Sequence, residues 1–272
     1  MQTRSRAPLH IVHPQAGSSD EALVAVQGFH VWFHKHHVLN DVSVTFLRNR
    51  INCIIGPSGS GKSTLIRSLN RINDDVDGFV CRGSVRFHDE EIYAQTTDVT
   101  RLRTRIGMVF QKPCIFPTSI SANVLFGARH VRAIPAGQQL ELVEEKLRAV
   151  SLWQEVQHRL DEPAISLSIG QQQRLCLART LAVEPEVILL DEPTSSLDPV
   201  STRAIEELLL DLKQNYTIIF VTHDILQAKR FADQLIFLCN GQVIEQGEKE
   251  TLFRAAQRPE TRSYLNEEYC DC

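Results

Sequence analysis

The chain has 272 residues and a formal net charge of −4, and 43% of its residues are hydrophobic. This composition supports a packed core and argues against wholesale disorder, and the slightly acidic balance gives no support for general nucleic-acid binding. No apolar run approaches the roughly 18 residues that a membrane-spanning helix needs. The length is enough for one large α/β domain or two small ones. We expect one domain at residues 23–267, with loose tails at 1–22 and 268–272.

Strands and helices alternate along most of the chain, which indicates an α/β fold with a mostly parallel sheet. In chain order, the patterns predict strands at 23–33, 42–46 and 51–55, a helix at 63–71, strands at 84–87 and 106–110, a helix at 138–152, a strand at 187–190, a helix at 205–212, and strands at 217–221 and 243–246. Residues 113–168 are predicted to be mostly helical and interrupt the alternation, so we expect an inserted helical lobe there.

Residues 56–63 match the pattern G-x-x-x-x-G-K-[ST], directly after one predicted strand and before a predicted helix. The glycines allow backbone N–H groups to face phosphate oxygens, and the N-terminus of the next helix adds a favourable dipole. Lys62 suits the β- and γ-phosphates of ATP, and the Ser63 hydroxyl suits Mg²⁺. The alternative, a Gly/Ser-rich turn that happens to contain a lysine, is disfavoured by the flanking elements. The candidate nucleotide-binding residues are Gly56, Pro57, Ser58, Gly59, Ser60, Gly61, Lys62, Ser63 and Thr64.

An acidic pair follows the predicted buried strand at 187–190. Asp191 is suited to hold Mg²⁺, and Glu192 is suited to accept a proton from an attacking water, two tasks that phosphoryl transfer needs separate groups to perform. Alone, an apolar run that ends in Asp-Glu is more often a strand that meets a loop. Its position downstream of the phosphate loop makes it a strong signal.

Residues 167–174 read Leu-Ser-Ile-Gly-Gln-Gln-Gln-Arg. Together with the two patterns above, they resemble the ATP-binding-cassette family, whose signature is usually Leu-Ser-Gly-Gly-Gln. The resemblance implies a P-loop NTPase with a RecA-like, mostly parallel core, a small antiparallel β subdomain and an inserted helical subdomain. It also implies ATPase activity that depends on ATP and Mg²⁺.

The same resemblance implies roles for individual residues. Phe33 is implied to stack on adenine, Gln111 to contact both Mg²⁺ and a permease, and His223 to lie near the γ-phosphate. The implied metal ligands are Ser63, Gln111 and Asp191. The implied catalytic residues are Glu192, His223, Lys62 and Gln111. Further nucleotide contacts are implied for Ser168, Gly170, Gln171 and Asp198.

Each chain is implied to contain half of each ATP site, so two copies would pair head to tail and drive two transmembrane permease subunits at the cytoplasmic face of a bacterial inner membrane. The stretches at 108–113, 116–117, 119–120, 172–176, 198–202 and 205–208 are similar to the ATP-binding subunit of bacterial phosphate importers. That similarity implies phosphate uptake, an indirect extracytoplasmic phosphate-binding partner, and no nucleic-acid partner.

Three alternatives remain open. The chain could serve an importer for another solute, such as polar amino acids, because the solute binds other subunits. A cassette protein that acts on DNA or ribosomes is disfavoured, since the chain has one cassette and no coiled-coil insertion. A weakly hydrolysing regulatory subunit is favoured only by the changed signature.

Two positions depart from the family pattern. Ile169 replaces the first signature glycine, and His34 stands where the family often has glycine. Ser168 and Gln171 form a capping-box pattern, so Ile169 is predicted to be the first residue of a helix with an ordinary negative φ. The neighbouring histidines, His36 and His37, are predicted to share a solvated turn with His34 rather than a metal site.

Overall fold

The computed structural model describes residues 21–267. The predicted tails lie outside the described residues except at positions 21 and 22, and Ala22 already begins a strand. The strands are β1 (Ala22–Phe33), β2 (His36–Leu47), β3 (Ile51–Ile55), β4 (Phe79–Phe87), β5 (Glu90–Glu91), β6 (Ile106–Val109), β7 (Val187–Asp191), β8 (Thr217–Val221), β9 (Gln234–Cys239) and β10 (Gln242–Glu248). The helices are α1 (Lys62–Leu69), α2 (Val99–Arg105), α3 (Ile120–Val131), α4 (Ala136–Ala149), α5 (Trp153–Val156), α6 (Ile169–Leu181), α7 (Pro199–Leu212), α8 (Ile225–Phe231), α9 (Lys249–Ala255) and α10 (Pro259–Leu265).

Two sheets form the β framework. The smaller sheet is antiparallel with the order β2-β1-β4-β5, and the larger has the order β10-β9-β3-β8-β7-β6. In the larger sheet every pair is parallel except β9 with β10. The α/β prediction with a small antiparallel part is therefore confirmed.

The central strands β3, β7 and β8 are buried along their whole length. This explains their continuous apolar sequences, because a parallel strand covered on both faces has no polar side. The carboxyl ends of parallel strands meet at one edge, and there the loops after β3, β6, β7 and β8 come together. Every catalytic residue named above lies in or next to one of these loops.

Helices α3, α4 and α5 lie within the interval 113–168, where an inserted helical lobe is predicted. Their buried residues, including Val124, Val143 and Leu147, share one core cluster with Leu175 of α6. Between residues 21 and 267, no helix combines the length and apolarity needed to cross a membrane.

Several element boundaries differ from the sequence prediction. Helix α1 ends at Leu69 rather than at residue 71, because Arg71 adopts a left-handed φ of 61°. The turn between β1 and β2 contains only His34 and Lys35, so His36 already belongs to β2. Strand β9 and helix α2 were not predicted, since short apolar or mixed runs do not distinguish helix from strand.

Candidate functional site

The loop between β3 and α1 has the backbone that its glycines predict. Gly56 has a φ of 149°, and a Cβ there would clash with the carbonyl oxygen of Leu238. Gly61 has a φ of 101°, and it precedes a helix whose N-terminus no side chain caps. The N–H groups of the first turn, which includes Ser63 and Thr64, are therefore suited to an anion.

The ammonium group of Lys62 lies inside this loop. Its Nζ donates hydrogen bonds to the carbonyl oxygens of Gly56 and Pro57, both at 2.8 Å, and the residue is 5% exposed. Burial lowers the pKa of Lys62, and the nearby carboxylates of Glu192 and Asp191 oppose this shift. Because this buried cation donates to two neutral carbonyl oxygens, it is well placed to exchange them for phosphate oxygens.

Asp191 is the last residue of β7, and its carboxylate accepts hydrogen bonds from α1. Its Oδ1 accepts a hydrogen bond of 2.7 Å from Ser63 Oγ, and its Oδ2 accepts one of 2.8 Å from Arg67 Nη2. The hydroxyl and carboxylate oxygens of Ser63 and Asp191 are the hard donors that Mg²⁺ prefers, so the residues fit the metal that the sequence predicts. Arg67 was not predicted as a site residue, although its spacing of four residues from Ser63 places both on one face of α1.

Glu192 lies where the loops after β6, β7 and β8 meet, close to two other predicted site residues. Its Oε2 is 3.1 Å from Nδ1 of His223 and 3.5 Å from Nε2 of Gln111. Gln111 also donates to Ser195 Oγ at 3.1 Å. The structure thus brings together Glu192, His223 and Gln111, which lie after three different strands of the sheet.

A polar network next to Glu192 and His223 was not predicted. Thr194, just after Glu192, hydrogen bonds with Gln227 of α8, and Gln227 Nε2 donates to Glu206 of α7 at 3.0 Å. Arg230 donates to both oxygens of Glu206, at 2.9 and 2.6 Å. These bonds raise the pKa of Arg230 and fix the loop after β7 to the helix after β8.

The signature residues lie at the start of α6. Ser168 caps this helix: its Oγ accepts from the N–H of Gln171 at 3.3 Å, and Gln171 Oε1 accepts from the N–H of Ser168 at 2.9 Å. Ile169 is the first helical residue and is 49% exposed. A Cβ on Gly170 would lie 3.1 Å from Ser201 Oγ. The capping box and the helix start at Ile169 are therefore confirmed.

Within residues 21–267, no hydrogen bond joins the signature to the phosphate loop. The Gln171 side chain instead donates to Glu155 at 2.7 Å. Asp198 caps α7 by accepting hydrogen bonds from the N–H groups of Val200 and Ser201. The nucleotide contacts of the signature and of the loop before α7 therefore remain predictions, at Ser168, Gly170, Gln171 and Asp198.

Phe33 lies at the end of β1, half-buried, with its ring centroid 5.7 Å from that of Phe79. The next residue, His34, has a φ of 53°, and its N–H donates to the Gly78 carbonyl at 2.8 Å. A left-handed φ is the conformation that favours glycine, which explains the family preference at this position. Adenine stacking by Phe33 stays a prediction.

The fold and this constellation define a class: a phosphate-loop domain that binds a nucleoside triphosphate. The family model described as "ABC transporter" matches residues 39–195, more than half of the chain. The chain belongs to the ABC transporter family.

Known relatives agree with this assignment. The chain is 47% identical over 250 residues to the "Phosphate import ATP-binding protein PstB" of Thermotoga maritima, covering 92% of this chain and 97% of that protein. It is similar to cbiO1 of Clostridium perfringens, described as part of the ABC transporter complex cbiONQ, with a TM-score of 0.75, 30% identity, and coverage of 87% and 92%. It also matches a dimeric post-hydrolysis state of an ATP-binding cassette bound to ADP and Pi, with a TM-score of 0.72, 27% identity, and coverage of 83% and 98%.

Proposed function

We propose that this chain is the ATP-hydrolysing subunit of an ABC importer that takes up inorganic phosphate. The hydrolytic part rests on one observation above all, the contact of the Glu192 carboxylate with His223 and Gln111 at the edge of the sheet that carries the phosphate loop. The phosphate cargo is supported by the similarity to phosphate import proteins along almost the whole chain.

In the proposed reaction, Lys62 exchanges its two carbonyl partners for phosphate oxygens of ATP. Glu192 Oε2 accepts a proton from water as the water oxygen forms a bond to the γ-phosphorus and the bond to the β-phosphate oxygen breaks. ADP and inorganic phosphate are the products. His223 holds Glu192 in place, and Phe33 packs against the adenine ring.

The residues that would hold Mg²⁺ are Ser63, Asp191 and Gln111, and the metal would supply positive charge beside the phosphates. Ser63 and Asp191 are already in contact, whereas Gln111 points its amide at Glu192 and Ser195. Gln111 would hold the metal through its amide oxygen, since its amide nitrogen donates toward Glu192 and Ser195.

Assembly follows from the separation of the signature from the phosphate loop. Two copies pair so that Ser168, Gly170 and Gln171 of one copy close on the nucleotide of the other, with Asp198 at the same interface. Closure drives two permease subunits from the cytoplasmic face of the membrane, and the phosphate-binding protein acts on the opposite side.

The proposal is tested by purifying the tagged chain from membranes of its native host and identifying the proteins attached to it. We expect two permease subunits whose genes adjoin that of a phosphate-binding protein. A permease for a different solute would contradict the cargo, and a chain that binds no membrane protein would contradict a transport role.

A further inference from the structure

The two oxygens of the Asp191 carboxylate are held by different residues of α1. Ser63 donates to Oδ1, and Arg67 donates to Oδ2. The carboxylate is 2% exposed, so almost no water reaches it. A charge that is buried so deeply is stable only when its hydrogen-bonding positions are filled.

The contact with Asp191 also fixes Arg67. Within residues 21–267 it is the one hydrogen bond of this guanidinium, and Arg67 Nε is buried without a partner there. Ser63 and Arg67 are four residues apart, which places them on the same face of the helix. Helix α1 therefore carries both a candidate Mg²⁺ ligand and the anchor that orients the second one.

We propose that Arg67 is a positioning residue for the magnesium site, which orients Asp191 so that Oδ1 faces Ser63 before nucleotide arrives. This inference rests on the proposed ATP site. A cation at this place could instead compete with Mg²⁺ for the carboxylate. The separate oxygens argue against competition, because Arg67 occupies Oδ2 and leaves the oxygen that faces Ser63 to the metal.

The test is the Mg²⁺ dependence of nucleotide binding, measured with a fluorescent non-hydrolysable ATP analogue and the purified full chain. Partners that orient a metal ligand typically change metal affinity by about 10- to 100-fold when removed. In Arg67→Met we expect the Mg²⁺ concentration at half-maximal binding to rise at least about tenfold. Arg67→Lys should restore part of the loss, since it keeps the charge but has a different shape.

The matched control is Arg105→Met, which also removes an arginine from a carboxylate, that of Glu186 just before β7, at the opposite end of the strand from Asp191. It should lower the melting temperature and leave the Mg²⁺ midpoint unchanged. An unchanged or lower midpoint in Arg67→Met would overturn the proposal, and a lower one would favour competition. If Arg67→Met does not fold, Arg67→Lys decides: a midpoint equal to that of the unmodified chain overturns the proposal.

The same measurements separate a failure of the proposed metal site from a failure of the role of Arg67. If the unmodified chain bound the analogue equally well with and without Mg²⁺, the proposed metal site itself would be wrong, and the role of Arg67 would fall with it. If only the Arg67 variants behaved unexpectedly, the ATP site would stand and the positioning role alone would be contradicted.

Discussion

Glu192 is held in an unusual backbone conformation by its neighbours. It has a left-handed φ of 44°, and its N–H donates to the carbonyl of Val221 at 3.1 Å. A non-glycine residue in this region costs on the order of 1–3 kcal/mol and persists where the surroundings impose it, often at functional sites. The carboxylate of Glu192 is 3.1 Å from Nδ1 of His223, so this backbone outlier lies at the candidate site.

The first prediction concerns the proton acceptor. Glu192→Gln keeps the shape of the side chain and removes its ability to take a proton. We expect the rate at which the assembled transporter hydrolyses ATP to fall by roughly 10²- to 10⁴-fold, while ATP binding is retained. Lys62→Ala is the contrasting variant, since it should weaken binding itself. Turnover of Glu192→Gln at the rate of the unmodified protein would show that another group is the base.

The second prediction concerns Ile169. Its position at the first turn of α6 gives it an ordinary helical backbone, and its exposed side chain lies where the proposed partner copy closes. Ile169→Gly should change helix stability by only a few tenths of a kcal/mol. It should also raise the ATPase rate of the assembled transporter, because crowding at the interface is removed. An unchanged rate would show that the isoleucine is harmless, and loss of folding would assign it to the core.

At the scale of elements, the site illustrates what sequence can predict. The phosphate loop and the Ser168 cap depend on residues within a few positions of each other, so their patterns predict their geometry. The bond between Arg67 and Asp191 joins residues that are 124 positions apart, and no local pattern contains it. The Gln227–Glu206 contact was missed for the same reason, because it forms only when α7 and α8 pack together.

The side chain of Glu186 connects the two sheets with each other and with α2. It accepts a hydrogen bond from Arg105 Nε at 2.7 Å and contacts His88 Nε2 at 2.8 Å, so the end of α2, the end of β4 and the start of β7 meet at one carboxylate. Burial alone would raise the pKa of Glu186, but the hydrogen bonds from Arg105 and His88 outweigh it. The pKa therefore lies below its ordinary value of 4.5.

The third prediction follows from this lowered pKa. A carboxylate whose pKa is lower in the folded state contributes stability above pH 4.5, and that contribution is lost as the pH falls through the folded value. Glu186→Gln should lower the free energy of unfolding by about 2 kcal/mol at pH 7. In denaturant titrations the difference should shrink below pH 4.5. Glu90→Gln is the control, since Glu90 is 84% exposed and 3.9 Å from Arg105. A constant difference at all pH values would contradict the role of the charge.

At the scale of the whole molecule, the proposed assembly divides each ATP site between two copies of the chain. The phosphate loop with Asp191 and Glu192 lies on the parallel sheet, and the signature with Ser168 lies at the start of α6. Within one chain, the phosphate loop curves into the start of α1, and the signature helix α6 is capped by Ser168. In the proposed pairing, a second copy places its signature against the phosphate loop of the first.

The fourth prediction is that ATP controls this pairing. The Glu192→Gln chain should sediment mainly as a monomer without nucleotide and as a dimer with ATP, because the bound γ-phosphate joins the two halves. Adding Lys62→Ala to the same chain should abolish the shift, since nucleotide binding is lost. If the mass did not change with ATP, the half-site account of assembly would be contradicted.

The most direct test of the central claim is phosphate uptake in intact cells. Cells that lack this gene and have no second high-affinity importer should take up little radiolabelled phosphate at low external concentration. The unmodified chain should restore uptake, and Glu192→Gln should not, although it is made in equal amount. Normal uptake in the deletion strain, or full rescue by Glu192→Gln, would contradict the conclusion that ATP hydrolysis by this chain drives phosphate import.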